Sequence, residues 1–405
     1  MEEQLQLSFT KFLKDAYIIV EGEKDAEYFY IIREGKVRVS KDVQVVVEER
    51  GNLLGPGDFF GVVSTMSGHS HIETARAVTD VILIKVHCEQ YSQLIQNNAP
   101  VATKILLQFS KRMRYLNDSL TRITLKRNAD INIDHIYSVA EYYNRQKQFN
   151  PAFYAYTQYI RYCPRGEHVR TAQEHLRRIS SYAKAAKMNF NPDDMTRSYP
   201  REAMIFAEGE PGGEIFVIKS GLVKIAKVVD DGEVVLAILK TGDIFGEMAL
   251  LDSTPRGACA MAFEDCQLMV VNKDNFSQMI TTQPQLITRL TTLLAERIWL
   301  AYKQLANTRI FDPLGRMFDM LYIQLEKKRV DFNTKRTYMF DFGVKELIGM
   351  VGLSQPEGST VIQKLLQNRY IEIIENKICI DNVMEFSRQA MYYRKMQEGD
   401  VRRRR

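Results

Sequence analysis

The chain has little tryptophan and little cysteine: Trp299 stands alone, and Cys88, Cys163, Cys259, Cys266 and Cys379 are scattered over 405 residues. There is no CxxC pair and no His/Cys set with metal-ligand spacing. That excludes a structural zinc or iron–sulfur site and predicts a reducing, cytoplasmic location. The chain also lacks an apolar run long enough to cross a bilayer. The opening stretch MEEQLQLSFTKFLKD starts acidic and holds no apolar core of a signal peptide. There is no nucleophile–base pair, no metal set and no triphosphate-binding loop, so the expectation is a protein that is not an enzyme. A net charge of +5 permits a nucleic-acid partner without requiring one.

Hydrophobic residues make up 45% and charged residues 26%, the balance of a soluble globular chain whose length predicts two to four domains. The clearest signal is an internal repeat. "YIIVEGEKDAEYFYIIREGKVRVSK" (Tyr17–Lys41) matches "MIFAEGEPGGEIFVIKSGLVKIAK" (Met204–Lys227). Each copy continues into G-D-x-F-G, then more alternating strand, then a long amphipathic helix. Short period-two strands punctuated by glycine predict antiparallel β-rolls. The helices are expected near Pro100–Thr124 and Pro284–Arg309. In the second, Leu286, Leu290, Leu293, Leu294, Ile298, Ala301 and Leu305 form an apolar stripe. The stripe is longer than one small roll can cover, which predicts a homodimer seam along 284–309.

Between the rolls, Ile131–Lys187 reads as all helix. Ile136, Ala140, Tyr143, Ala152, Tyr156 and Pro164 have the spacing of a tetratricopeptide helix pair, and "AEYYNRQKQFNPAFYAYTQYIRYCP" resembles that family. One such unit is too few for a free solenoid, so the insert is expected to be a packed spacer or the dock of a protein partner. After a helix at Pro313–Lys328, "FGVKELIGMVGLSQPEGSTVIQKLLQNRYIEIIENKICIDN" reads helix, tight turn, helix and two-strand hairpin, a winged helix-turn-helix. The expected architecture is α+β and multidomain. A first β-roll with its helix spans 1–125, a tetratricopeptide-like insert 131–190, a second roll with its helix 197–310 and a winged helix-turn-helix 311–405.

This order of roll, long helix and winged helix-turn-helix resembles the catabolite-activator/Fnr-type (Crp/Fnr) cyclic-nucleotide-responsive transcription regulators, with the ligand-binding roll duplicated. Its most specific piece is "FGEMALLDSTPRGACA", which also resembles the phosphate-binding cassette of protein-kinase-A regulatory subunits. The resemblance implies a cyclic nucleotide as effector and gives the cassette residues their roles. A short helix starting near Gly246 would aim the N–H groups of Glu247, Met248 and Ala249 at a cyclic phosphate. Arg256 would fork onto phosphate oxygens, a geometry lysine cannot copy. Glu247 would accept from the ribose 2′-hydroxyl, and Gly257 and Ala258 would close around the phosphate. Trp299 and Tyr302 on the long helix are candidates to cap the base. The residues leave open cAMP, cGMP and a cyclic dinucleotide.

The first roll departs from this pattern, with Val62 at the position of Glu247 and His71 at that of Arg256. Losing both polar groups makes the first roll a scaffold with a degenerate pocket; a pocket re-tuned to another ligand is the competing reading. His69 and His71 lack a third ligand for a metal. In the C-terminal segment Gln355, Glu357, Ser359 and Thr360 would face base edges, and Lys345, Lys364 and Arg369 would meet phosphates, with Arg402–Arg405 adding charge. No arginine stands where one would fork onto guanine, and Gly358 weakens its helix. Two functions therefore fit: a DNA-binding regulator gated by a cyclic nucleotide, or a nucleotide-binding scaffold acting on a protein partner without reading DNA.

Overall fold

Among the described residues, the repeat seen in the sequence is a repeat of eight strands. The structure, a computed structural model, describes residues 7–41, 52–125, 134–184, 190, 194–229, 232–252, 254–353 and 355–403. The first roll comprises β1 (Ser8–Phe12), β2 (Tyr17–Ile19), β3 (Tyr28–Glu34), β4 (Val37–Ser40), β5 (Leu53–Leu54), β6 (Phe59–Phe60), α1 (Val62–Ser67), β7 (Thr74–Ala77) and β8 (Val81–His87). Helices α2 (Tyr91–Asn97) and α3 (Ala99–Leu125) follow, then the insert of α4 (His135–Arg145), α5 (Phe149–Tyr162) and α6 (Val169–Ile179). The second roll comprises β9 (Thr196–Tyr199), β10 (Met204–Phe206), β11 (Glu214–Ser220), β12 (Val223–Val229), β13 (Gly232–Leu239), β14 (Ile244–Phe245), α7 (Glu247–Asp252), β15 (Cys259–Ala262) and β16 (Cys266–Asn272). Its helices are α8 (Lys273–Thr282) and α9 (Pro284–Asn307).

Both rolls use one wiring. The first pairs its strands as β1-β8-β3-β6 and β2-β7-β4-β5; the second as β9-β16-β11-β14 and β10-β15-β12-β13, antiparallel throughout. Inward side chains fill each roll, among them Ile32, Phe60 and Leu83 in the first and Phe216, Phe245 and Leu268 in the second.

The described residues fall into two compact units, one drawn from Met1–Leu94, Arg112–Ala129 and Thr291–Arg405, the other from Ile95–Lys111 and Asp130–Leu290. In the second unit the insert shares a core with the second roll: Tyr143, Ala152, Tyr156 and Tyr159 pack in one cluster with Met204, Ala207, Val228, Cys259 and Met261. Tyr143 also donates to Glu233 at 2.8 Å. The aromatic face of the insert is thus covered by the roll.

The C-terminal part of the first unit starts with α10 (Pro313–Lys327). Pro313 stands at its first position, and the Asp312 carboxylate accepts from the amides of Leu314 and Gly315. Beyond it come β17 (Tyr338–Met339), α11 (Val344–Met350), α12 (Gln355–Leu365), β18 (Ile371–Ile374), β19 (Lys377–Ile380) and α13 (Val383–Arg403). Strands β18 and β19 form a hairpin whose two turn residues, Glu375 and Asn376, both have positive φ, as a two-residue hairpin turn of matching twist requires. Gly358 does more than weaken α12, because a Cβ there would lie 2.5 Å from Ile348 Cγ2. The glycine lets α11 and α12 approach closely.

On the α9 stripe, Leu290, Leu294, Ile298, Ala301 and Leu305 are buried within a single chain. Only Leu286 and Leu293 of that stripe stay half-buried. The residues that cover it come from the same polypeptide, which periodicity alone cannot distinguish from a second copy.

Candidate anion-binding site

In the second roll the G-D-x-F-G turn delivers the chain from β14 into α7. Gly246 has φ +80°, and a Cβ on it would lie 2.7 Å from Arg256 Nη1. Both the left-handed backbone and the close approach require glycine. Glu247 and Ala249 are buried at the start of α7, while Met248, Gly257 and Ala258 are half-buried. Arg256 returns to the same place from the turn before β15 and is only 4% exposed.

Arg256 is held mainly by backbone. Its Nη1 donates to Gly246 O at 2.6 Å and its Nη2 to Glu214 O at 2.9 Å. The guanidinium lies 4.2 Å over the Phe206 ring, a cation–π contact. Its Nε is buried with no hydrogen-bond partner. Burial pushes the Arg256 pKa down, against Glu210, Glu214, Tyr154 and Glu247, whose charges favour the cation. Glu247 thus favours the charged Arg256 electrostatically, while carbonyl groups supply the arginine's hydrogen bonds.

Glu210 is the residue sequence reasoning missed. Its backbone carbonyl accepts from Arg256 N at 2.8 Å, its carboxylate accepts from Ala207 N at 2.9 Å, and Tyr154 of α5 donates to it at 3.1 Å. Burial raises its pKa to about 7, against the Ala207 amide, Arg256 and Tyr154, which favour the anion. Arg197 on β9 forks onto Glu214 through two bonds of 3.0 and 2.7 Å. A cavity of about 710 Å³ opens beside Arg256, walled by α5 on one side and by the Glu210–Glu214 loop on the other.

The equivalent place in the first roll is filled from within. Glu73, aligned with Ala258, is buried and accepts from the amide of Gly61, the counterpart of Gly246, at 3.0 Å. Arg112 of α3 pairs with its other oxygen at 3.3 Å. Burial alone would raise the Glu73 pKa, but Arg112, Lys41 and the Gly61 amide outweigh it and hold the carboxyl below its ordinary value. His71, in the arginine position, turns its Nε2 to Asp25 O at 3.0 Å, and Val62 is buried. The signal available in the sequence was a lone carboxylate at a cassette position that is alanine in the other copy.

Trp299 and Tyr302 lie against the first roll, which corrects their assignment as caps of a base in the second. Trp299 stacks on His69 with ring centroids 4.1 Å apart, and Tyr302 donates to Glu21 at 2.9 Å. Burial and the nearby Arg329 push the His69 pKa down to about 4. The same loop of the first roll meets the C-terminal elements: Arg329 donates to Ser67 O at 2.8 Å, and Ser70 donates to Glu326 at 3.0 Å. Among the described residues no group of three or more His, Cys, Asp or Glu could hold a metal ion. No described helix is long and apolar enough to cross a membrane.

In the C-terminal elements Lys345 on α11 and Glu357, Ser359, Thr360 and Lys364 on α12 are exposed, as is Arg369. Gln355 opens α12. The Thr360 hydroxyl donates to Pro356 O at 3.2 Å, on its own helix. Arg404 and Arg405 of the terminal arginine run lie outside the described residues.

Comparison with known proteins identifies the rolls: residues 9–98 and 196–283 each match the cyclic nucleotide-binding domain family. The chain carries this domain twice. Its relatives include the CRP-like cAMP-activated global transcriptional regulator of Mycobacterium tuberculosis, 27% identical over 197 residues, covering 47% of this chain and 86% of the relative. They also include the cyclic AMP receptor protein of Thermus thermophilus, 29% identical over 178 residues, covering 44% and 79%. A solved structure of a CRP/FNR-family transcriptional regulator from Thermus thermophilus matches with TM-score 0.34 and 22% identity, covering 48% of this chain and 98% of that one. The Gly246–Ala258 cassette lies in the second cyclic nucleotide-binding domain, and the Glu73–Arg112 pair in the first.

Proposed function

We propose that this protein is a cyclic-nucleotide-responsive, DNA-binding transcription regulator whose effector binds in the second cyclic nucleotide-binding domain. The observation that carries the reading is the convergence of buried Glu247 and Arg256 on Gly246 at the start of α7. The phosphate would displace the carbonyl contacts of Arg256 and take its guanidinium fork, and Glu247 would accept from the ribose. Elements α11, α12 and the β18–β19 hairpin act as a winged helix-turn-helix, with α12 as the recognition helix and Lys345 and Lys364 on phosphates. The signal passes along α9, which leads from the second roll to Asn307, whose side chain donates to Arg316 O at 2.9 Å and to Asp319 at 2.8 Å on α10. A differential affinity of a few kcal/mol between two poses of α9 suffices for a switch. The insert acts as a tetratricopeptide-like spacer, and no catalytic role is assigned.

Calorimetry with cAMP, cGMP and cyclic di-GMP tests the effector. Binding should appear for at least one and vanish in Arg256→Ala, whereas His71→Ala should leave it unchanged. Loss through His71→Ala alone would place the effector in the first domain. A gel-shift series across salt concentrations tests the output, with Lys345→Ala and Lys364→Ala each reducing the salt slope by about one. A second reading, a nucleotide-binding scaffold acting on a protein partner, draws on one observation: the Thr360 hydroxyl is engaged on its own helix. Failure to bind DNA at low salt, with and without nucleotide, selects it.

A further inference from the structure

Two features of the second unit come together beside the cassette, and a third is found in the first unit. The first is the cavity of about 710 Å³, large enough for a nucleobase, whose wall includes Phe153, Tyr154, Thr157 and Tyr162 of α5. Next, Arg197 and Arg256 both line it, are 9% and 4% exposed, and each keeps a buried Nε–H without an acceptor. A buried donor without a partner costs free energy, so two of them beside one cavity mark a place built for an acceptor-bearing group. Last, the aromatic residues of α9 that could have capped a base, Trp299 and Tyr302, are buried against the first roll.

We propose that this cavity is the base-binding half of the effector pocket, and that α5 of the insert supplies the surface on which the ring stacks. The proposal rests on the second roll being the effector site. With the phosphate at Arg256, a planar purine reaches the cavity between the α5 aromatics and the Phe206–Phe216 face. The insert is then the element that reads which nucleotide is bound, because Tyr154 ties it to Glu210 of the loop that also bonds Arg256. Exposed Thr157 stands at the cavity edge, so a larger side chain there fills the space without disturbing a core.

The test compares cAMP and cGMP binding by calorimetry in the full chain and in Thr157→Trp, Tyr162→Ala and Arg256→Ala. Hydrogen exchange of α5 amides is followed in parallel. Thr157→Trp and Tyr162→Ala should each weaken the preferred nucleotide about tenfold or more, the scale of a lost base–aromatic stack. The melting temperature of Thr157→Trp should stay near wild type, and α5 exchange in wild type should slow when nucleotide is added. If Arg256→Ala abolishes binding while both α5 variants bind as wild type, the base lies elsewhere; this proposal then falls and the effector site stands. If wild type binds none of cAMP, cGMP and cyclic di-GMP, both fall together. Should Tyr162→Ala misfold, Thr157→Trp decides alone, since it removes no packed group.

Discussion

Glu210 makes the second roll sensitive to pH, and replacing it with glutamine should remove that sensitivity. Its pKa rises from 4.5 to about 7 because the folded chain buries the carboxyl. Between those values the folded state holds a proton that the unfolded state has released. The stability this proton gives is fully present below about pH 4.5 and is lost as the pH climbs through 7. A shift of this size corresponds to on the order of 3 kcal/mol between the two ends of the window. Glutamine keeps the acceptor for Ala207 N and a polar partner for Tyr154 but cannot ionise. Scanning calorimetry of wild type and Glu210→Gln from pH 5 to 8.5 should show the variant gaining on wild type by several degrees as pH rises, with the two close together at pH 5. Parallel profiles would refute the buried, proton-holding carboxyl. The same ionisation bears on the site, since above pH 7 the Glu210 anion competes for Arg256. Nucleotide affinity should therefore fall from pH 6 to 8 in wild type and stay flatter in Glu210→Gln.

Other outcomes follow from single contacts. Gly246→Ala combines positive φ with a close approach to Arg256 and should cost about 1–3 kcal/mol, read as a lower melting temperature, along with weaker nucleotide binding. Arg112→Met leaves the buried Glu73 carboxylate without its counter-charge and should destabilise the first unit by about 3–5 kcal/mol, largely relieved in the Glu73→Gln/Arg112→Met double variant. Leu294→Asp should lower the melting temperature at every protein concentration, because the residue belongs to an intrachain core; a pure change in sedimentation with intact melting would show a dimer seam instead. Gly358→Ala should cost about 1–3 kcal/mol by driving a methyl into Ile348, and Ile348→Val in the same chain should recover part of it.

What the sequence made legible were features that repeat or alternate. Period-two strands and two G-D-x-F-G turns marked two antiparallel rolls, and the contrast of Glu247 and Arg256 with Val62 and His71 separated the cassettes. Contacts between distant segments stayed hidden. Tyr154 and Glu210 are neighbours only because α5 packs on the second roll, and no local pattern announces that. The α9 stripe announced burial without saying what provides it, because burial leaves the same periodicity whichever chain provides the cover. Gly358 looked like a flaw in a helix, since propensity counts the cost of a glycine and misses the neighbour that needs it.

The carboxylate that Glu73 places on the Gly61 amide acts as a ligand that never dissociates. Its local concentration is fixed by the chain, so no metabolite pool can titrate it, and a soluble anion would have to displace both Glu73 and Arg112 to enter. On the proposed reading, the doubled domain is a single sensor. A protein with one adjustable cradle and one closed on its own side chain should answer a rising effector along a simple saturation curve for each chain. Whatever steepness appears in a cell would have to arise downstream of this polypeptide, in how many copies meet on one target.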